Sequence, residues 1–292
     1  PEWFIPWYEL IVDESNCLGE GGFGSVNQAK WLDSDVVVKR VTLLNDARRA
    51  EALAVFRREV DIWFGFNHPH VVRLFGACHV GKPFFVCEYA PNGTLVSYLR
   101  KNPDEIWAKL HEAALGVQYL HARDVVHGDL KGNNIVIGSD MKAKVTDFGL
   151  SSTLVSGAWN WVAPELLDTS ERPTLASDMY ALGMCIVEAL RVVEAVKLGK
   201  TDAHCLPWHV PDKGALVYQA TRGKLPSQPV TCEDIKWELV KRMCALDPEK
   251  RIKISTVVDE LARLANVSTT TESSVLGETS QPNLCPGIPS RK

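Results

Sequence analysis

The chain has 292 residues with 46% hydrophobic content, a formal net charge of −4 and an isoelectric point near 6.1. That length and apolar fraction suffice to bury two lobes of one unit, and the mildly acidic balance argues against nucleic acid or an acidic membrane surface as the main partner. Cysteines at 17, 78, 87, 185, 205, 232, 244 and 285 form no C-x-x-C pair, which suits a reducing compartment and neither zinc nor a disulfide framework; no stretch reaches the length of a membrane span and no signal peptide is visible.

In chain order, the first patterned stretch is Leu18-Gly19-Glu20-Gly21-Gly22-Phe23-Gly24-Ser25-Val26. Glycines 19, 21 and 24 let a strand-turn-strand backbone approach a bound group closely, although a Gly-rich turn alone is a weak signal. The run Asp35 to Val41 alternates with period two, which puts Val37, Lys39 and Val41 on one face and leaves Arg40 for solvent. A helix is predicted from about Asp46 to Phe64, because Leu53, Phe56, Val60 and Trp63 recur at helical spacing. Glu59 lies on the edge of that stripe, where a charge is costly unless paired, so Lys39 and Glu59 are expected to pair. His68-Pro69 ends the helix, and the strings Phe84 to Ala90 and Asn92-Gly93-Thr94-Leu95 follow. Ile106, Leu110, Ala114, Val117 and Leu120 trace one face of a further helix.

The most informative segment is His127-Gly128-Asp129-Leu130-Lys131-Gly132-Asn133-Asn134, followed downstream by Asp147-Phe148-Gly149. Asn134 opens the apolar run Ile135-Val136-Ile137, and a polar turn from Gly138 leads into Lys144-Val145-Thr146, a short hairpin. Antiparallel strands bring the residue entering the first and the residue leaving the second to the same end. Asn134 and Asp147 should therefore converge, and their oxygens suit a hard cation such as Mg²⁺, with Asp129 within reach on an irregular loop. Singly, Asp129 and Asp147 read as ordinary turn aspartates; with Lys131 and Asn134 at these offsets they read as a phosphoryl-transfer set. Farther on, Ser177-Asp178-Met179-Tyr180 starts a nearly all-apolar segment to Leu190, a buried central helix. After Ala265 the composition shifts to Ser, Thr, Pro and Gly, so 266–292 is expected to be a disordered tail. The first residue is Pro1 rather than Met, so the chain is expected to be cut from a longer protein.

Taken in order, these strings resemble the motifs of eukaryotic-type protein kinases over roughly residues 9–265. The resemblance implies an α+β, two-lobed kinase fold: an N-terminal extension at 1–11, a β-rich N-lobe at 12–87, a hinge at 88–91 and a mainly helical C-lobe at 92–265. It implies ATP and Mg²⁺ as cofactors. Residues Leu18 to Val26, the Lys39–Glu59 ion pair and the backbone of Glu88 and Ala90 would hold the nucleotide, with Cys87 at the gatekeeper position. Asp129 would act as catalytic base, Lys131 would balance charge on the γ-phosphate, and Asn134 and Asp147 would hold the metal. Ala163-Pro164-Glu165 matches the family's A-P-E, Arg251 is the late arginine expected to pair with Glu165, and Asp178 is expected to brace the catalytic loop.

His127-Gly128-Asp129 and Trp161-Val162-Ala163-Pro164-Glu165 look most like the tyrosine-kinase-like group, and Lys131 is what serine/threonine kinases carry. The implied function is transfer of the ATP γ-phosphoryl group to Ser/Thr hydroxyls of protein substrates in cytoplasmic signalling; the oligomeric state is not legible. Three departures stand out. Gly128 replaces the arginine that pairs with a phosphorylated activation loop, the stretch from Asp147 to Glu165 is short though it offers Ser151, Ser152, Thr153 and Ser156, and Ala158 stands where a threonine is usual. They keep open a catalytically weak pseudokinase or scaffold, against which the retention of Lys39, Glu59, Asp129, Asn134 and Asp147 argues. A small-molecule kinase is disfavoured because the segment around Ala163-Pro164-Glu165 resembles a protein-substrate platform.

Overall fold

Five strands close into one sheet, β1 (Leu10–Gly21), β2 (Gly24–Trp31), β3 (Ser34–Arg40), β4 (Leu74–Cys78) and β5 (Phe84–Glu88), in the order β1-β2-β3-β5-β4 with antiparallel neighbours, the β-branched run of β3 and the aromatic run of β5 lying at its centre. The computed structural model describes residues 1–21, 24–41, 49–148, 159–167, 169, 171–200 and 205–275, with the side chains of 20, 21 and 268–275 also outside it. The α1 helix (Arg49–Phe64) follows β3 and buries Phe56, Val60 and Trp63 against the sheet. Phe56 and Trp63 meet Phe85 of β5 at 4.7 and 5.5 Å between ring centroids. Such aromatic pairs add about 0.5–1.5 kcal/mol each beyond their area.

The sheet is covered on both faces, which the period-two reading of β3 did not anticipate. Lys39 is buried at 5% exposure as expected, but Val36 and Val38 on the opposite face are still more buried, at 0% and 1%. They join Ile5, Ala29, Cys78, Phe84 and Val86 in a second, smaller core. Residues 1–11, expected as an extension, supply part of this cover. The Ala77 amide donates to the Trp3 carbonyl at 2.8 Å and the Ile5 amide to the Ala77 carbonyl at 3.0 Å, so residues 3–5 run along the free edge of β4. Trp3 is buried, and its indole donates to Asp61 Oδ1 of α1 at 2.6 Å, which ties that helix to the sheet edge.

The C-lobe is helical: α2 (Leu95–Leu99), α3 (Ile106–His121), α4 (Leu175–Lys197), α5 (Lys213–Ala220), α6 (Asp234–Met243) and α7 (Ile254–Val275), with the hairpin β6 (Ile135–Ile137) and β7 (Ala143–Val145) on its upper surface. All five apolar residues predicted on the inner face of α3 are buried. The α4 helix begins at a capping box in which Ser177 N–H donates to Thr174 Oγ1 at 3.1 Å and Thr174 N–H to Ser177 Oγ at 2.8 Å. Residues 266–275 are helical rather than part of a disordered tail, because extending a helix already nucleated and packed through Val257 and Leu261 costs little. Residues 276–292 lie outside the described residues.

Two backbone bonds couple the lobes: Val72 N–H to the Val145 carbonyl and Val145 N–H to the His70 carbonyl, both 3.0 Å. Lys144 on β7 adds an ion pair to Glu88 at 2.9 Å. Lower in the C-lobe, both Nη atoms of Arg251 donate to Glu165 at 2.7 Å, and the guanidinium also reaches the Ala176 and Ala245 carbonyls. Removing one partner of such a pair strands the other, so Arg251→Ala is expected to lower unfolding free energy by about 3–5 kcal/mol in urea titration.

Candidate active site

The hairpin delivers what its sequence promised. Ile135 pairs with Val145, and the Thr146 amide donates to the Asn134 carbonyl at 3.0 Å, so Asn134 and Asp147 enter one cleft from neighbouring positions. Just upstream, the loop from His127 to Asn133 folds onto itself. Asn134 Nδ2 donates to the Asp129 carbonyl at 2.7 Å and to Asp129 Oδ2 at 2.9 Å, and Lys131 Nζ donates to the same Oδ2 at 2.8 Å. With its nitrogen spent on Asp129, Asn134 keeps its carbonyl oxygen as an acceptor.

The loop is held from below by Asp178, buried at 1% exposure in the first turn of α4, where the helix dipole favours a carboxylate. Asp178 accepts from the His127 amide at 2.7 Å and the Gly128 amide at 2.9 Å, and lies 2.9 Å from His121 Nε2. Gly128 sits at φ 78, a left-handed conformation in which a Cβ is strained. The residue that departs from the kinase pattern is therefore the one its backbone tolerates best. Burial pushes the His127 ring below its usual pKa, and its Nδ1 accepts the Asp129 amide at 3.2 Å, as a neutral ring can.

Above the loop, Phe148 is buried with its ring 5.0 Å from Trp63, 5.6 Å from Phe66 and 6.0 Å from His127. This stack joins α1 to the loop that begins at His127. Asp147 adopts a positive φ of 64 beside it. The expected Lys39–Glu59 pair is not formed: Lys39 makes its ion pair with Asp147, a partner only the tertiary fold brings near. Glu59 instead lines a cavity of about 440 Å³ with Val55, Trp63, Phe85, Phe148 and Arg172, and burial raises its carboxyl to about 7. The reading of Glu59 as the partner of Lys39 is thus corrected. Helical periodicity fixed its place on the stripe edge but not the rotation of α1 against β3.

Of the other predicted positions, Glu88 ends β5 and its amide donates to the Arg73 carbonyl at 2.9 Å, while Cys87 is buried beside Val37. Leu18, Gly19, Ser25 and Val26 lie on the β1–β2 ribbon with Glu20, Gly21 and Gly24 at its tip. Gly22, Phe23, Gly149 and the 150–158 stretch, with Ser151, Ser152, Thr153, Ser156 and Ala158, lie outside the described residues. Among the described residues no group of three or more His, Cys, Asp and Glu gathers as a metal cluster. Asp147 with the Asn134 amide is a sparse oxygen set, which fits Mg²⁺, an ion that keeps most of its ligands as water and phosphate. One residue escaped the sequence reading: Glu188 of α4, buried at 7% exposure, accepts from the Gly132 amide at 2.8 Å and the Trp161 indole at 3.0 Å. A glutamate inside an apolar helix run was the signal that could have found it.

Glu59 and Glu188 share a linkage consequence, since burial raises both from 4.5 to about 7. A carboxyl that binds its proton more tightly when folded stabilises most below its unfolded value, and that contribution is lost as pH rises toward 7. Glu59→Gln should flatten part of this fall, measured as urea midpoints at about pH 5 and about pH 8. Gly128→Ala should cost about 1–2 kcal/mol in the same assay, the penalty for a Cβ in the left-handed region.

Residues 12–261 match the family model described as protein tyrosine and serine/threonine kinase. The chain is 30% identical over 288 residues to the Dictyostelium discoideum protein named Probable serine/threonine-protein kinase pats1, covering 89% of this chain and 9% of that protein. It is 35% identical over 208 residues to Probable serine/threonine-protein kinase PBL28 of Arabidopsis thaliana, covering 63% and 55%, and 27% identical over 287 residues to Tyrosine-protein kinase Btk of Drosophila melanogaster, covering 92% and 34%. The chain thus spans less than two thirds of each of these relatives. With its β-sheet N-lobe, helical C-lobe and a family match over residues 12–261, the chain belongs to the protein tyrosine and serine/threonine kinase family.

Proposed function

We propose that this chain is an ATP- and Mg²⁺-dependent kinase that transfers the γ-phosphoryl group to serine or threonine hydroxyls of protein substrates. The observation that carries the reading is the convergence of Asp129, Lys131, Asn134, Asp147 and Lys39 in one cleft, through the Asp129 cluster and the Lys39–Asp147 ion pair. Phosphoryl transfer asks a protein mainly to position reactants and neutralise charge, and this set supplies both.

Asp129 orients the substrate hydroxyl and accepts its proton. Lys131, already hydrogen-bonded to Asp129, places a positive charge beside the transferred group. Asn134 and Asp147 would hold Mg²⁺, which when bound offsets charge on the phosphates. Lys39 would serve the non-transferred phosphates, and backbone groups of Glu88 and Ala90 would meet the adenine. Serine/threonine preference is supported by Lys131 and by the serine/threonine-kinase names of the pats1 and PBL28 relatives, and the tyrosine-kinase-like group by His127-Gly128-Asp129 and Trp161-Val162-Ala163-Pro164-Glu165. We place the activity in the cytosol, where ATP is at hand; among the described residues no helix is long and apolar enough to cross a membrane.

One observation favours a second reading, a scaffold that binds partners without transfer: Glu59 is separated from Lys39, and Lys39 is held by the residue proposed for the metal. Labelled ATP with Mg²⁺ and a generic protein substrate decides between the two. Asp129→Ala is expected to lower transfer roughly 10²–10⁴-fold, the usual worth of a general base. Asp147→Ala should abolish it in a chain that still folds, with an unfolding midpoint lowered because the buried Lys39 loses its partner, and phosphoamino-acid analysis should give phosphoserine and phosphothreonine. Label in wild type no higher than in Asp129→Ala would overturn the kinase reading and favour the scaffold.

A further inference from the structure

We propose that the groove along α5 docks acidic side chains of the protein substrate, with Lys213 and Arg222 setting that preference. The inference rests on the phosphotransfer reading above and names the kind of substrate it would take.

The charge pattern points that way. From Lys213 to Cys232 the chain carries Lys213, Arg222 and Lys224 and no aspartate or glutamate, in a protein whose net charge is −4. The next helix is built differently. On α6 and just beyond it, Lys236, Lys241, Arg242 and Lys250 pair in turn with the carboxylates of Glu233, Glu238, Glu260 and Asp247. Among the described residues neither Lys213 nor Arg222 has an acidic partner. Asp212, beside Lys213 in sequence, has its Oδ1 engaged by the Ala215 amide at 2.8 Å.

Each of these two cations lies against a ring instead. Lys213 Nζ stands 3.4 Å from the centroid of Trp159, and the Arg222 guanidinium 3.7 Å from that of Tyr218, while Arg222 Nη1 donates to the Tyr218 carbonyl at 3.0 Å. A ring holds such a head group in place without neutralising its charge, so both cations are pre-set for an anion from outside. With them, Gly214, Val217, Tyr218 and Thr221 line a surface groove of about 400 Å³ that no carboxylate lines.

The groove adjoins the site. Trp159, under Lys213, is two residues from Trp161, whose indole shares Glu188 with the Gly132 amide of the loop that carries Asp129. Asn160 accepts the Trp208 amide at 3.0 Å, which fixes this segment against the stretch leading into α5. An extended chain covers about 3.3 Å per residue, so the acidic residues taken by the groove would lie within a short run of the acceptor hydroxyl.

Peptides that carry one Ser or Thr acceptor and differ only in a short run of Asp, Gln or Lys on either side of it are compared by steady-state kinetics. The same peptides, fluorescently labelled, are compared by anisotropy without ATP. On one side of the acceptor the Asp peptide should show a KM roughly three- to tenfold below that of the Gln peptide, the effect of a few exposed charge pairs, with KM for ATP unchanged. The advantage should vanish at about 1 M salt, where screening acts within about 3 Å. Lys213→Met and Arg222→Met, which keep an unbranched stem against each ring, should each remove part of it, and Lys213→Arg should keep it. Lys213→Glu/Arg222→Glu should turn the preference toward the Lys peptide, an inversion that loss of packing cannot mimic. Equal KM values for the Asp and Gln peptides, or an Asp preference that survives the two Met changes combined, would overturn the proposal. Binding of phosphatidylserine vesicles through the same two cations, with no discrimination among the peptides, would assign the groove to a membrane surface and overturn it as well. A wild type that transfers no phosphate would overturn the functional reading instead, and the anisotropy arm alone would then decide whether the groove takes acidic chains.

Discussion

The carboxylate of Asp178 is the interaction on which the site depends. It is buried under the His127–Asn134 loop, at the favourable end of the long helix α4, and it satisfies two consecutive backbone amides that would otherwise be orphaned. An unsatisfied buried amide costs about 1–3 kcal/mol, so the loop has little freedom to lie elsewhere. Everything the proposed chemistry needs is referred to that anchor: Asp129 and Lys131 follow within three residues, and Asn134 reaches back to Asp129 from the start of β6. The buried helix α4 acts as a rigid ruler, with Asp178 fixing one half of the loop and Glu188 touching the other.

The N-lobe side of the cleft is poised differently. Lys39, Asp147 and Glu59 are three charged groups in a region of low polarity, and only one pairing is made. The Lys39–Asp147 pair neutralises two of them, and the third adapts by holding its proton more tightly, the usual response of a carboxyl that loses water without gaining a partner. Meanwhile the aromatic stack of Trp63, Phe66, Phe148 and His127 ties α1 to the catalytic loop, and Trp3 ties it to the β4 edge. The helix that carries Glu59 is thus held at both flanks by apolar packing, while its charged residue is left without Lys39. Packing rather than ion pairing sets its place.

Much of this was legible in the sequence where the signal was local. The inner face of α3, the β6–β7 hairpin and the convergence of Asn134 with Asp147 follow from short-range periodicity and turn chemistry, while the Glu165–Arg251 pair and the brace from Asp178 came only with the resemblance to the kinase motifs. Less legible was anything set by how elements rotate against each other. The alternation of β3 indicated a strand with Lys39 on one face, yet both faces are buried because residues 3–5 return along β4, a contact between positions more than seventy residues apart in the chain. The end of the helical C-terminus was placed too early, since composition registers Ser and Thr but not the continuation of a packed helix.

The sequence by itself determined the family, the order of the elements and the inventory of charged groups offered to the cleft, because these reside in residue types at fixed offsets along strands, turns and helices. Only the tertiary structure decided which of those groups are partners. Lys39 meets Asp147 and not Glu59, and Glu188 joins Gly132 to Trp161, because pairing of buried charges depends on distances of a few ångströms between elements that no periodicity encodes.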